Sequence, residues 1–207
     1  RTPPKTQAAL LQAMQEYQVT TAGQTRDLPL PFFVMATQNP IEQEGTSPLP
    51  EAQLDRFFLQ IVMDYPTREE EKRVVLETTG EKRVELKTVL DAKEMESLQD
   101  LVRRVPAADS AVELAVRLAR ATRPADASSP KEVKSWLSWG AGPRAAQALV
   151  LGAKSRAVLS GRLAASEDDV RAVAKPVLRH RLVLNFQAEA EGVQADAIIE
   201  RLLGEIS

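Results

Sequence analysis

Five residues in a row, Phe32-Phe33-Val34-Met35-Ala36, carry no polar side chain, and Thr37-Gln38-Asn39-Pro40 then ends the run abruptly. So short an apolar run, bounded by proline, predicts a strand buried on both faces, as in a parallel sheet with helices on each side. Such sheets bind ligands just beyond the carboxyl ends of their strands, and Asn39 falls at such an end. A Pro-rich loop follows, then Leu54-Asp55-Arg56-Phe57 and a second apolar run, Phe57 to Met63, which reads as another strand. An amide at one strand tip and an Arg just ahead of the next suggest a site that reads a charged ligand.

Ahead of this stretch, Thr2-Pro3-Pro4 is a helix start, a capping hydroxyl followed by proline. Leu10, Met14 and Tyr17, with Leu11 beside them, make Lys5 to Tyr17 an amphipathic helix. Thr and Val residues on either side of Ala22-Gly23 suggest a hairpin. Behind it, Asp64-Tyr65-Pro66-Thr67 is the expected domain boundary, dividing 1–66 from 67–207, and the pattern beyond it turns helical. Thr67 caps a helix whose first turn holds Glu69, Glu70 and Glu71, where the helix dipole favours carboxylates. Asp91 and Glu94 form a capping box for a helix to about Arg104. Further helices are expected over Ala111–Arg123, from Pro130 to near Trp139, over Pro143–Ser160 with Gly161 as the stop, from Ser166 to about Leu178, and over Gln194–Ile206. The fold class is therefore α/β followed by all-α.

Composition narrows the function classes. The 27 Lys and Arg are balanced by 29 Asp and Glu, for a net charge of −2, which leaves no basic footprint for nucleic acid. There is no cysteine, hence no disulfide framework and no thiolate metal site, which fits a reducing compartment such as the cytoplasm. No apolar run approaches the roughly 18 residues that cross a bilayer, so no integral membrane segment is expected. The chain begins at Arg1 without Met and reads as a piece of something longer.

Three residues stand out as chemistry-bearing, each with a second reading beside it. Asn39 can orient a water or touch a terminal phosphate, or its side chain can bond local backbone in an Asn-Pro turn. Arg56 carries the rigid guanidinium fork that suits phosphate oxygens, or it is a surface Arg paired with Asp55 or Glu51. Arg144 follows Gly142-Pro143 in the first turn of a helix, where the dipole disfavours a cation. There it completes an anion cradle or forms an ion pair with a nearby carboxylate. His180, the single histidine, lies between Arg179 and Arg181 and reads as a solvated helix end. Glu42 and Glu44 read as a solvated loop, and Trp136 with Trp139 as core residues on one helix face. No Gly is followed by Lys, which excludes a G-x-x-x-x-G-K-[ST] phosphate loop within these 207 residues. No apolar strand ends in Asp-Glu, and no Ser-His-Asp set can be assembled.

At these residues the chain resembles the MoxR family of AAA+ ATPases, and the resemblance runs from Arg1 to the end. Arg1 to Glu16 is similar to the segment directly after the family's Walker B acids. Phe33-Val-Met-Ala-Thr-Gln-Asn-Pro-Ile-Glu-Gln-Glu-Gly resembles its sensor 1 strand and loop, placing Asn39 as sensor 1. Pro48-Leu-Pro-Glu-Ala-Gln-Leu-Asp-Arg-Phe resembles the arginine-finger segment, placing Arg56. Trp139-Gly-Ala-Gly-Pro-Arg-Ala resembles sensor 2, placing Arg144, and Arg179-His-Arg-Leu-Val-Leu-Asn-Phe resembles the C-terminal signature of the lid.

The resemblance implies the C-terminal part of an AAA+ core over 1–66, carrying a pre-sensor 1 hairpin, and a helical lid over 67–207. It implies binding of ATP with Mg²⁺ and hydrolysis coupled to chaperone-like remodelling or maturation of protein complexes, often metal-centre insertion. The implied partners are other copies of itself in a ring, a hexamer, together with a von Willebrand factor A domain protein and a protein client. The chain departs from the family in lacking the Walker A loop and Walker B acids, so it is expected not to hydrolyse ATP alone. Two rival readings are a non-catalytic protein-interaction module and a magnesium-chelatase-like AAA+ subunit. Gln38-Asn39-Pro40-Ile41-Glu42 favours MoxR over the latter.

Overall fold

The computed structural model describes residues 4–38, 49–81 and 85–206, and the side chains from residue 9 onward within them. It begins with α1 (Pro4–Glu16), which buries Leu11 and Ala13. The chain then turns through Tyr17 into an antiparallel hairpin, β1 (Gln18–Thr21) and β2 (Gln24–Asp27). Ala22 and Gly23 form its two-residue loop with φ of 52° and 79°. Two successive positive φ angles define a type I′ turn, whose twist matches that of the flanking strands. The side chains of Thr20 and Thr25 meet across the ladder at 3.1 Å.

The two strands expected from the apolar runs are not formed. Residues 32–38 and 59–67 have no ladder partner among the described residues, and the only sheets there are two-stranded and antiparallel. A strand, unlike a helix, cannot satisfy its own N–H and C=O groups and exists only where a neighbour pairs with it. Without one, Phe33 stands 75% exposed and Met35 81%. Ile61, Val62, Met63 and Tyr65 are exposed as well.

Between these segments lies the one-turn helix α2 (Glu51–Leu54), followed by a turn at Asp55 and Arg56. From Thr67 the helices arrive as the capping signals predict. In α3 (Arg68–Thr78) the Thr67 hydroxyl accepts from the Glu70 amide, while the Glu70 carboxylate accepts from the Thr67 amide at 2.9 Å. In α4 (Ala92–Arg104) Asp91 and Glu94 cap each other in the same way, both at 2.8 Å. Each reciprocal pair satisfies two amides that a helix start otherwise leaves orphaned.

The core belongs to α5 (Asp109–Ala121), α7 (Pro143–Leu159), α8 (Glu167–Leu178) and α10 (Ala195–Glu205). Leu114, Leu118, Leu149, Val170, Val177, Leu178, Ile198, Ile199 and Leu202 are all buried there. A stripe of alanines and Gly152 lets α7 lie close to α8; a Cβ at Gly152 would come within 3.3 Å of Val173.

The helix from Pro130 is shorter than expected. α6 (Lys131–Trp136) gives way to β3 (Leu137–Trp139), which pairs antiparallel with β4 (Val183–Leu184). The tryptophans therefore do not share a helix face: Trp136 packs against the core and Trp139 is 71% exposed. Asn185 locks this ribbon. Its side-chain Nδ2 donates to the Ser135 carbonyl at 2.6 Å, and its side-chain oxygen caps α9 (Phe186–Ala190) by accepting from the Ala188 amide.

Candidate functional site

The entry to α7 is held by three neighbours. Thr122, fully buried at the end of α5, donates its hydroxyl to the Ala119 carbonyl and accepts from the Ala141 amide at 2.9 Å. Arg123 Nε donates to the Ala141 carbonyl at 2.9 Å. Gly140 lies so close to the Thr122 carbonyl that an added Cβ would sit 2.1 Å from its oxygen, so only glycine fits. The turn delivers Gly142 to the N-cap of α7 and Pro143 to its first position. Gly142 has no side chain with which to cap, so the helix end keeps its positive pole open.

Arg144 projects from that first turn. Its Nη1 lies 3.4 Å from Asp55 Oδ2. The other oxygen of the same carboxylate, Oδ1, accepts from Arg181 Nε at 3.0 Å. Glu51, Ala52, Trp139, Gly140 and Gly142 join these three residues around a cleft of about 410 Å³. Two guanidinium groups and an uncapped helix start thus face one cleft, with Asp55 and Glu51 as its carboxylates.

The cleft exists because Asp55–Gln60 docks on the C-terminal end of α8. That end leaves carbonyls without intrahelical partners. The Gln60 amide donates to the Pro176 carbonyl at 2.8 Å, and Arg181 Nη1 donates to the Val177 carbonyl. Arg181, on the 3₁₀ turn Arg179–Arg181, also donates to the backbone carbonyls of Asp55 at 3.1 Å, Phe57 at 2.7 Å and Phe58 at 3.3 Å. Burial lowers its pKa and the Asp55 carboxylate opposes that shift. Arg179 holds the Asp196 carboxylate with Nε and Nη2 at 3.0 and 2.8 Å, and gives Nη1 to the Gln60 carbonyl.

His180 is not the solvated helix end expected of it. It is half-buried, with Nε2 3.0 Å from the Phe57 carbonyl. A carbonyl only accepts, so Nε2 carries the proton, and the buried Nδ1 has no partner among the described residues. Burial, then the charge of Arg181, pushes its pKa down to about 4, against the opposing pull of the Phe57 bond and Asp55.

Of the three residues singled out in the sequence, Arg144 lies on this cleft. It forms the ion pair weighed for it, with Asp55. Arg56 neighbours it in sequence but does not line it. It is half-buried, with no ion pair and an Nε lacking a partner among the described residues. Asn39, together with Glu42 and Glu44, lies outside the described residues. The sequence reading missed Asp55 and Arg181. The signal for Arg181 was an Arg set between two basic neighbours and Leu182-Val183-Leu184, where the chain returns to the core. The described residues hold no group of three His, Cys, Asp or Glu suited to a metal ion, and no helix among them is long and apolar enough to cross a membrane.

Comparison with known proteins bears on both halves of the chain. Residues 1–59 match the family described as "ATPase family associated with various cellular activities (AAA)", and residues 131–202 match the AAA lid domain. Chaperone MoxR1 of Mycobacterium tuberculosis is 41% identical over 98% of this chain, which covers 54% of that protein. YeaC of Bacillus subtilis is 41% identical over the whole chain, which covers 62% of it. Protein MoxR of Paracoccus denitrificans is 33% identical, over 89% of this chain and 58% of its own length. A solved structure from Cytophaga hutchinsonii, of a protein assigned as an ATPase, superposes with a TM-score of 0.92 at 37% identity. It covers all of this chain, which spans 63% of it. The chain thus spans a little over half the length of the curated relatives it matches.

Proposed function

Because the chain belongs to the MoxR family of AAA+ ATPases, with an AAA+ fold and an AAA lid, we propose that it forms the sensor, finger and lid portion of an ATP-hydrolysing, chaperone-like machine. In this reading residues 1–66 belong to the nucleotide-binding core and residues 67–207 form the lid. The observation that carries it is the cleft at the start of α7, where Arg144 and Arg181 face the same space as an uncapped helix amino end. That donor set suits phosphate oxygens.

Bound ATP with Mg²⁺ supplies the phosphoryl group and the metal's neutralising charge. Arg144 meets the phosphates of its own subunit's nucleotide and senses their loss. Arg56, free of any ion pair among the described residues, reaches the nucleotide of the neighbouring subunit in a hexameric ring. Asn39 orients the attacking water or touches the terminal phosphate. No G-x-x-x-x-G-K-[ST] loop stands in the 207 residues, and the described residues hold no carboxylate cluster suited to a metal. The 207 residues alone therefore do not turn over ATP. The machine works in the cytoplasm on a protein client, in maturation of complexes such as metal-centre insertion, beside a von Willebrand factor A domain partner.

The test is a chimera in which these 207 residues replace the matching stretch of Chaperone MoxR1. It should hydrolyse ATP and assemble into rings. Arg56→Ala should lower turnover by about 10³-fold, the scale of a lost arginine finger, without loss of nucleotide binding. Arg144→Ala should weaken binding and turnover together. Turnover indifferent to both substitutions would overturn the reading.

A further inference from the structure

Asp55 divides its carboxylate between two cations that are held very differently. Arg181 has a side chain only 3% exposed and makes five hydrogen bonds, one to Asp55 Oδ1 and four to the backbone carbonyls of Asp55, Phe57, Phe58 and Val177. Arg144 is 49% exposed and reaches Asp55 Oδ2 through one long contact of 3.4 Å. Arg181 is the fixed anchor and Arg144 the releasable half. An anion entering the cleft meets Arg144 first and must take it from Asp55, because one guanidinium edge cannot serve both at full strength. Arg56 is the next residue along the chain, and its amide is held in the same turn by the Gln53 carbonyl at 3.2 Å.

We propose that Asp55 is a positioning residue that couples the two arginines: it holds Arg144 when the cleft is empty, yields it to a phosphate group, and thereby alters the seat of Arg56. This rests on the reading of Arg144 as a phosphate-sensing residue. Occupancy of one subunit's cleft would then be passed across the single peptide bond between Asp55 and Arg56 to the side chain that serves the next subunit.

The experiment titrates the 207-residue chain with inorganic triphosphate by calorimetry and follows amide exchange at Asp55, Arg56 and Phe57. The Asp55→Asn variant keeps an acceptor for Arg181 but removes the charge competing for Arg144. It should bind triphosphate at least fivefold tighter than the unaltered chain, and the gain should vanish in D55N/R144Q. In the unaltered chain, triphosphate should speed exchange at 55–57, and R144Q should abolish that response. This second readout holds even if D55N fails to fold. Loss of binding in R144Q, with no tightening in D55N and no exchange response at 55–57, overturns the coupling alone. Binding that R144Q leaves unchanged, or no binding by the unaltered chain or D55N, overturns the phosphate-sensing role of Arg144 and the coupling with it.

Discussion

Leu178 and Met63 are both apolar residues that the sequence places in regular elements. Leu178, at the end of α8, is fully buried, whereas Met63 stands 86% exposed in a segment without a ladder partner. The same contrast runs through the molecule. From Asp109 onward, four helices close a core on one another. Before Pro66, the apolar runs at 32–36 and 57–63 face outward in large part. A helix completes its backbone hydrogen bonds internally and needs only a neighbour for its apolar face. A strand needs a neighbour for its backbone as well. Residues 55–60 are the instructive exception, since Arg179, His180 and Arg181 serve their backbone carbonyls in place of a strand.

Truncation inside and outside the core should break the comparison most visibly. Leu149→Ala empties a fully buried position of α7 and should cost about 2–5 kcal/mol in urea unfolding. Met63→Ala should stay within about 0.5 kcal/mol. Equal effects would mean that Met63 is packed in solution and that the two regions are not different in kind.

A smaller effect is expected at Asp169, the buried carboxylate at the start of α8. It accepts from both terminal nitrogens of Arg162 and from the Ser166 amide and hydroxyl at 3.0 Å each, and it pairs with Arg156 at 3.4 Å. The Arg162 bonds, first, hold its pKa well below the usual carboxylate range, helped by those of Ser166. Asp169→Asn should destabilise the helical region by about 2–3 kcal/mol. It should leave exchange in the β1–β2 hairpin unchanged.

These residues also mark how far the sequence could be read. The capping pairs Thr67–Glu70, Asp91–Glu94 and Ser166–Asp169 lie three residues apart, so a local pattern predicted helix starts that the structure reproduces. Gly161 stops α7 as expected, with a φ of 68°. Arg144 was legible for the same reason, because Gly-Pro-Arg places it in a first helical turn. What failed was non-local. Whether 32–36 becomes a strand depends on a partner that no local pattern supplies. Asp55 and Arg181 meet across 126 positions, and burial of Arg181 requires the docked 55–60 segment. His180 was misread on the same account, since its neighbours in sequence are charged but its neighbour in space is the Phe57 carbonyl.

His180 allows the seam between the regions to be tested by pH. Its pKa is lowered to about 4 in the folded chain, from 6.5 when unperturbed. Between those values the unfolded chain holds the proton and the folded chain does not. The contribution is therefore fully present above about pH 6.5 and is lost as pH falls towards 4. Solvent screening on the open side of the ring limits it to about 1–2 kcal/mol. Urea midpoints of the unaltered chain and His180→Gln, compared from pH 7 to pH 4, should converge as the pH falls. Parallel curves would place His180 in solvent and undo the docking of Phe57.

The smallest effect is expected in the hairpin, and it sharpens the comparison by its confinement. Ala22 adopts a φ of 52°, a left-handed conformation that a Cβ disfavours and that Asn tolerates better. Ala22→Asn would create the Asn-Gly pair that a type I′ turn prefers and should stabilise the hairpin by about 0.5–1 kcal/mol. Exchange of the amides that pair Val19 with Arg26 and Thr21 with Gln24 should slow about two- to fivefold. The unfolding midpoint of the helical core should not move, because β1 and β2 lend no residue to that core. A rise in the core's midpoint would show that the two regions unfold as one cooperative unit, despite the apolar surface left open before Pro66.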